Sequence, residues 1–238
     1  MSASRIARIS SATVGVLLIA GVCVWFFYGA VSSDATSAAQ DQSPVGIKSV
    51  CSKVATVYTA AGRKNNSAES WIVVPNKLKV ETDDIIRVRN GVDHWILNKH
   101  NNRYIVIHHP TNPSIQVEKW SKPSDVVDNW RHVEPNLTES RVRKNLDGVE
   151  RDAVEVDLPN WKDGSQKVDL FPDKATGRTE TKITRQFDHR GNLIWTERVD
   201  FEYNKEIDDK MFVFSPPANA VEVSDQESLK LPANAYIK

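Results

Sequence analysis

The apolar residues of this sequence recur at every second position through run after run of the chain. In SWIVVPNKLKVETDDIIRVRNGVDHWIL, Leu78 and Val80 alternate with Lys77, Lys79 and Glu81, and Ile86 and Val88 alternate with Arg87 and Arg89. Side chains of a strand point alternately to its two faces, so a period of two gives one oily and one wet face, the usual pattern of antiparallel pairing. Turn residues separate the runs at PN, TDD and NG, and NKHNN parts HWIL from RYIVIHH as a polar hairpin loop. The second half repeats the pattern in SRVRKNL, DAVEVDL, QKVDLF, RTETKITRQF, NLIWTERVDFEYN and MFVFSPP, punctuated by Gly148, Gly164, Gly177 and Gly191. A turn about every dozen residues leaves too little chain for crossover helices, which predicts a single meandering sheet.

Two stretches carry a helical period instead. Ser43 followed by Pro44 is a helix opening, and Ile47, Val50, Cys51 and Val54 follow at helical spacing, which predicts a short amphipathic helix. Between Ser121 and Pro135, Ser124 can cap, Asp125 and Asp128 suit the positive helix end, and Val126, Val127, Trp130 and Val133 form one apolar stripe. This second helix separates the two groups of strands.

The longest ribbon is WTERVDFEYNKEIDDKMFVFSPP, which reads as strand, turn and strand. Leu193, Trp195, Val199, Phe201 and Tyr203 share one face, with Thr196, Arg198, Asp200 and Glu202 on the other. Glu197 interrupts the oily row, either at a rim or bend of the sheet or at the mouth of a cavity, where its carboxylate could meet a polar ligand group.

The front of the chain decides the compartment. Residues 1–11 carry Arg5 and Arg8, and residues 12–32 (ATVGVLLIAGVCVWFFYGAVS) carry no charge. About twenty such residues span the hydrocarbon layer as a helix, and basic flanks stay on the cytoplasmic side, so the remainder is expected outside the cytoplasm. A cleaved signal peptide is the rival reading, with the same consequence for location. Residues 33–43 are small and polar, a flexible linker, and residues 44–238 form one domain.

Lys and Arg total 31 and Asp and Glu total 31, so there is no global field to recruit nucleic acid. The two cysteines, Cys23 and Cys51, sit in the apolar run and beyond it, which argues against an intramolecular disulfide; Cys51 is expected to be a buried small side chain. His108 and His109, adjacent on a strand, project to opposite faces, and His100 falls in a hairpin loop, so no metal site is expected. The pairs Asp83–Asp84 and Asp208–Asp209 read as turn residues. No nucleophile, metalloprotease or phosphate-cradling motif occurs, and no cofactor or enzymatic activity is expected.

The order of elements, with WIVVPNKLKVE, IIRVRNGVDHWIL, an inserted helix and a closing FEYNKEIDDKMFVFSPP, resembles the LolA/LolB-like family of periplasmic lipoprotein carriers. The matching phrases are Pro75–Glu81, Asn90–Trp95 and Tyr203–Pro217, and the resemblance runs from Pro44 to Val223. It implies a mainly antiparallel β fold with a few helices, in which a strongly curved, unclosed half-barrel is capped by α-helices over a hydrophobic cavity. Leu78, Val80, Ile86, Val88, Trp95, Trp130, Leu193, Trp195, Val199, Phe201 and Tyr203 would line that cavity and hold a lipid, an acyl chain or a lipoprotein. A soluble carrier does not fit the expected inner-membrane anchor, so lipid sensing on the periplasmic side is open beside transport. The alternative is a protein-interaction or envelope-stress regulatory module with an envelope protein as its partner.

Overall fold

The computed structural model describes residues 46–60, 63–109, 114–115, 117, 120–161 and 164–231. The expected anchor at 12–32, the linker at 33–43 and the opening of the predicted first helix lie outside the described residues. Among those described, no helix is long and apolar enough to cross a membrane.

The chain runs as β1 (Ser49–Tyr58), β2 (Asn66–Val73), β3 (Lys77–Thr82), β4 (Ile85–Asn90), β5 (Asp93–Asn98), β6 (Arg103–His108), α1 (Pro123–Arg131), β7 (Thr138–Leu146), β8 (Val149–Leu158), β9 (Gly164–Pro172), β10 (Thr179–Asp188) and β11 (Leu193–Tyr203). A 3-10 turn (Asp209–Phe212), the short strand β12 (Val221–Glu222) and one turn of helix, α2 (Gln226–Leu229), complete it. One 12-stranded sheet results, in the order β12-β6-β5-β4-β3-β2-β1-β11-β10-β9-β8-β7. Two antiparallel meanders, β1 to β6 and β7 to β11, are thus sewn together where β1 pairs with β11, with Val50 opposite Tyr203 and Thr56 opposite Glu197. Among the described residues only β12 runs parallel to its neighbour, β6. Among the described residues nothing pairs β7 with the β6–β12 end, so the sheet is open.

The helix predicted over Ile47 to Val54 is strand β1 instead. A gap of four between Val50 and Val54 is one helical turn but also an even number, so both periods accommodate it. The β-branched run that follows, Thr56 and Val57 before Tyr58, favours a strand. β1 lies between β2 and β11, where both sides of its backbone find partners. The strand predicted at MFVFSPP is also absent. Both edges of β11 are taken, by β1 and β10, so the chain that follows has no free edge to pair with. The Asp208 carboxylate instead accepts from the Lys210 N–H at 2.9 Å and starts the 3-10 turn.

Helix α1 is shorter than its predicted span. It starts at Pro123 after Lys122, without a side-chain cap from Ser124, and Val133 lies beyond its end, 58% exposed. Val126, Val127 and Trp130 do form the buried stripe, packed with Val156, Leu158, Val168 and Leu170 of β8 and β9.

Strand registers place Val54, Ile72, Val80, Val168 and Val199 on one face of the sheet, here the front, and Lys53, Trp71, Lys79, Asp169 and Arg198 on the back. The front carries the larger apolar clusters: α1 covers β8 and β9, Ile115 and Val117 cover the middle, and Leu229 of α2 seats on Ile96 and Ile105. Asp147 (φ 54°) and Gly148 (φ 86°) form the two-residue loop between β7 and β8, a positive-φ pair suited to a type I′ hairpin. Gly164 begins β9 rather than making a turn; a Cβ there would stand 2.0 Å from the Phe187 carbonyl oxygen.

Candidate functional site

The side chains expected to share one hollow are divided between the two faces. Leu78, Val80, Phe201 and Tyr203 join Val50, Ile72 and Ile115 in a front-face cluster, and Val199 packs with Val54 and Ala68 beside it. Trp195 is buried on the same face opposite Tyr58, Leu193 is half-buried at the start of β11, and Trp130 packs from α1 onto β8 and β9. Ile86, Val88 and Trp95 face the other way, paired with Glu81, Lys79 and Val88 respectively on the back. The reason lies in the register: Thr82 ends β3 on the front and the turn at Asp83–Asp84 restarts the ladder with Ile85 on the front, so the odd residues of β4 take that side. Arg87 and Arg89, read as the wet face of β4, are therefore buried on the front at 3% and 7% exposure.

The back-face residues belong to a second apolar site. After β11 the chain crosses the back of β3, β4 and β5 as a strap, fastened by an ion pair between Lys77 and Asp209 at 2.8 Å and by Phe212, which is completely buried. Phe214 then stacks on Trp95 (centroids 5.9 Å apart, 16° between planes) and tilts against Tyr104 at 5.4 Å. Between strap and sheet lies a cleft of about 350 Å³. Ile86, Val88 and Leu97 are its floor and Met211, Val213 and Phe214 its strap wall, with Lys79, Asp208 and Lys210 among the remaining lining residues. Lys79 is held over the Trp71 ring at 5.3 Å and lies 3.6 Å from Glu81. An apolar floor with a few charged groups is the composition of a small-molecule site, and the volume lies at the low end of that class.

The front face carries buried polarity that the sequence did not reveal. Glu197 is not at a rim: it is 1% exposed, with Lys182 Nζ, equally buried, 3.4 Å away. Thr56 and Thr184 flank it on β1 and β10, and among the described residues neither hydroxyl nor Glu197 Oε1 finds a hydrogen-bond partner. Lys182, Thr184 and Gln186 share one parity of β10, and that all-polar parity was the available signal. At the other end of the sheet the Arg87 Nε–H donates to His94 Nε2 at 3.3 Å, and His94 stacks on His109 with centroids 5.8 Å apart. Burial, then the Arg87 charge, then His109 and Arg89 push the His94 imidazole down to about 3, so it is neutral in the fold. Tyr203 is used internally as well: its hydroxyl donates to the Thr179 carbonyl at 3.0 Å, and burial raises its pKa.

His108 pairs with Asp93 on the back while His109 faces His94 on the front, and His100 in its hairpin loop meets Asp84 at 2.7 Å. Among the described residues no three His, Cys, Asp or Glu side chains converge as a metal site. Cys51 is a buried free thiol on β1, its pKa raised by burial.

No protein-family model matches the chain, and no curated protein matches it. Among solved structures it is similar to an uncharacterized conserved protein from Thermus thermophilus, at 12% identity and a TM-score of 0.46 over 75% of this chain and 91% of that one. It is similar to a chain of the Pseudomonas aeruginosa MucA/MucB complex at 13% identity and a TM-score of 0.41, over 70% of this chain and 56% of that one. A LolA superfamily protein from Nitrosomonas europaea is similar at 10% identity and a TM-score of 0.27, over 72% of this chain and 91% of that one. These are likenesses of fold.

Proposed function

We propose that this chain is a non-enzymatic binding domain, held outside the cytoplasm on one N-terminal membrane anchor, that takes the acyl chain of a lipid or lipoprotein into the cleft beneath its strap. The observation that carries this reading is the cleft itself: an apolar floor on β4 and β5, a wall made by Met211, Val213 and Phe214, and Lys79 and Lys210 beside them. Each methylene moved from water to such a surface contributes roughly 0.8 kcal/mol, and the two ammonium groups suit an anionic head. Val213 on the strap wall is 61% exposed, whereas Val88 on the floor beneath is 2% exposed. The helix-capped cavity expected on the front is not needed, since the front-face row is already engaged in apolar clusters of the chain's own side chains.

Photolabelling tests the proposal. A diazirine-bearing fatty acid, photolysed on the full-length chain in membranes, is expected to mark the strap and β4–β5, with excess oleate suppressing the label. Met211→Asp, at a half-buried strap position, is expected to abolish it while leaving the fold intact. Labelling confined to residues 12–32, or strap labelling indifferent to Met211→Asp, would overturn the reading.

A further inference from the structure

We propose that the outer edge of β7 docks an extended, acidic segment of a partner protein as an added strand. The basis is independent of the back-face cleft. β7 is the last strand of the sheet, and among the described residues it is paired only with β8. The opposite end is covered differently, with β12 laid along β6 and the Arg103 guanidinium donating to the Ser228 carbonyl of α2. The two-residue loop at Asp147–Gly148 closes on the Leu146–Val149 pair as a hydrogen-bonded pair. By the alternation of an antiparallel ladder, Glu139, Arg141, Arg143 and Asn145 then send their N–H and C=O groups outward.

A groove of about 710 Å³ lies at the β7–β8 end of the sheet, lined by consecutive β7 residues from Glu139 to Arg143, by Asp152 to Val154 of β8, and by Lys122, Ser124 and Val127 at the start of α1. Its charge favours an acidic occupant. Glu139 is engaged by Arg131 at 2.7 Å, and Asp152 stands 3.8 Å from Arg143 in a pair that is about 70% exposed on both sides. Lys122 and Arg141 make no ion pair among the described residues. Lys144, on the back, is already tied to Glu155 and Asp169.

The same charges disfavour a second copy of the chain in the register centred on Val142. A two-fold antiparallel β7–β7 pair centred on Val142 would set Arg141 opposite Arg143 twice, and like charges directly opposite destabilise a ladder. A strand with carboxylates at alternate positions meets both arginines instead, as β8 meets Arg143 with Asp152 on the inner side.

The test uses the full-length chain and a short acetylated peptide of alternating Glu and Val, with a version carrying Lys in place of Glu. Hydrogen exchange at the Arg141 and Arg143 amides is expected to slow by about tenfold or more with the Glu peptide and not with the Lys peptide. Arg141→Glu, an exposed substitution, is expected to weaken peptide binding by about tenfold, and Arg141→Lys to weaken it far less. No slowing of these amides at the highest soluble peptide concentration would overturn the proposal, as would equal binding of the two peptides. Protection confined to the strap, or a dimer in sedimentation whose β7 amides are protected without peptide, would overturn it too.

Discussion

Acidification should destabilise this domain through one histidine before its carboxylates titrate. His94 is 6% exposed, accepts a hydrogen bond from Arg87 and has no acidic neighbour among the groups that set its pKa. In the unfolded chain it binds a proton below its ordinary 6.5; in the fold it does so only near 3. Its neutral state therefore contributes full stability above about pH 6.5, and the contribution falls as pH drops towards the folded value. Between neutral pH and pH 5 the loss is about 2 kcal/mol, since each pH step of one below 6.5 removes about 1.4 kcal/mol. His109, lowered mainly by burial and then by Arg89 and His108, acts in the same direction. Asp147, Asp173, Glu180, Asp188 and Glu202, whose pKa values are lowered, lose their contributions only at more acid pH. Urea unfolding of the full-length chain, followed by tryptophan fluorescence at neutral pH and at pH 5, reads the loss. His94→Gln keeps an acceptor for Arg87 without titrating and should shed about 2 kcal/mol of the pH dependence. An equal loss in wild type and variant, or a His94 NMR titration centred near 6.5, would refute the reasoning.

Phe212→Ala should cost about 3–5 kcal/mol, because the ring is completely buried where the strap is fastened, and should raise protease cleavage within residues 205–217. Gly164→Ala forces backbone to move away from the Phe187 oxygen and should cost at least about 1–3 kcal/mol, read as a fall in Tm; an unchanged Tm would contradict the close approach. Lys182→Met strips Glu197 of its buried ammonium and should cost about 3–5 kcal/mol, whereas Lys182→Met combined with Glu197→Leu should recover most of it in a double-mutant cycle.

Periodicity and turn chemistry, both local, determined much of this protein from the sequence alone. The alternation of Leu78 with Lys79 or of Phe201 with Glu202 demands a strand wherever it falls, because successive side chains point to opposite sides. Asp147–Gly148 demands a hairpin because its positive φ angles suit few other residues, and Val126, Val127 and Trp130 could bury together only from a helix. What alternation cannot carry is which side of the sheet a given row occupies. Both faces of β4 are covered, by the strap behind and by other parts of the chain in front, so Ile86 and Val88 could be oily on one side while Arg87 and Arg89 were buried on the other. Only pairing between distant segments decided the rest. β1 is a strand because β2 and β11 flank it, and the chain after Tyr203 is a strap because β11 has no free edge left. Glu197 lies in the interior because β10 sets Lys182 beside it. Each of these outcomes depends on partners more than a dozen residues away in sequence, where local preference has no reach and burial with backbone pairing prevails.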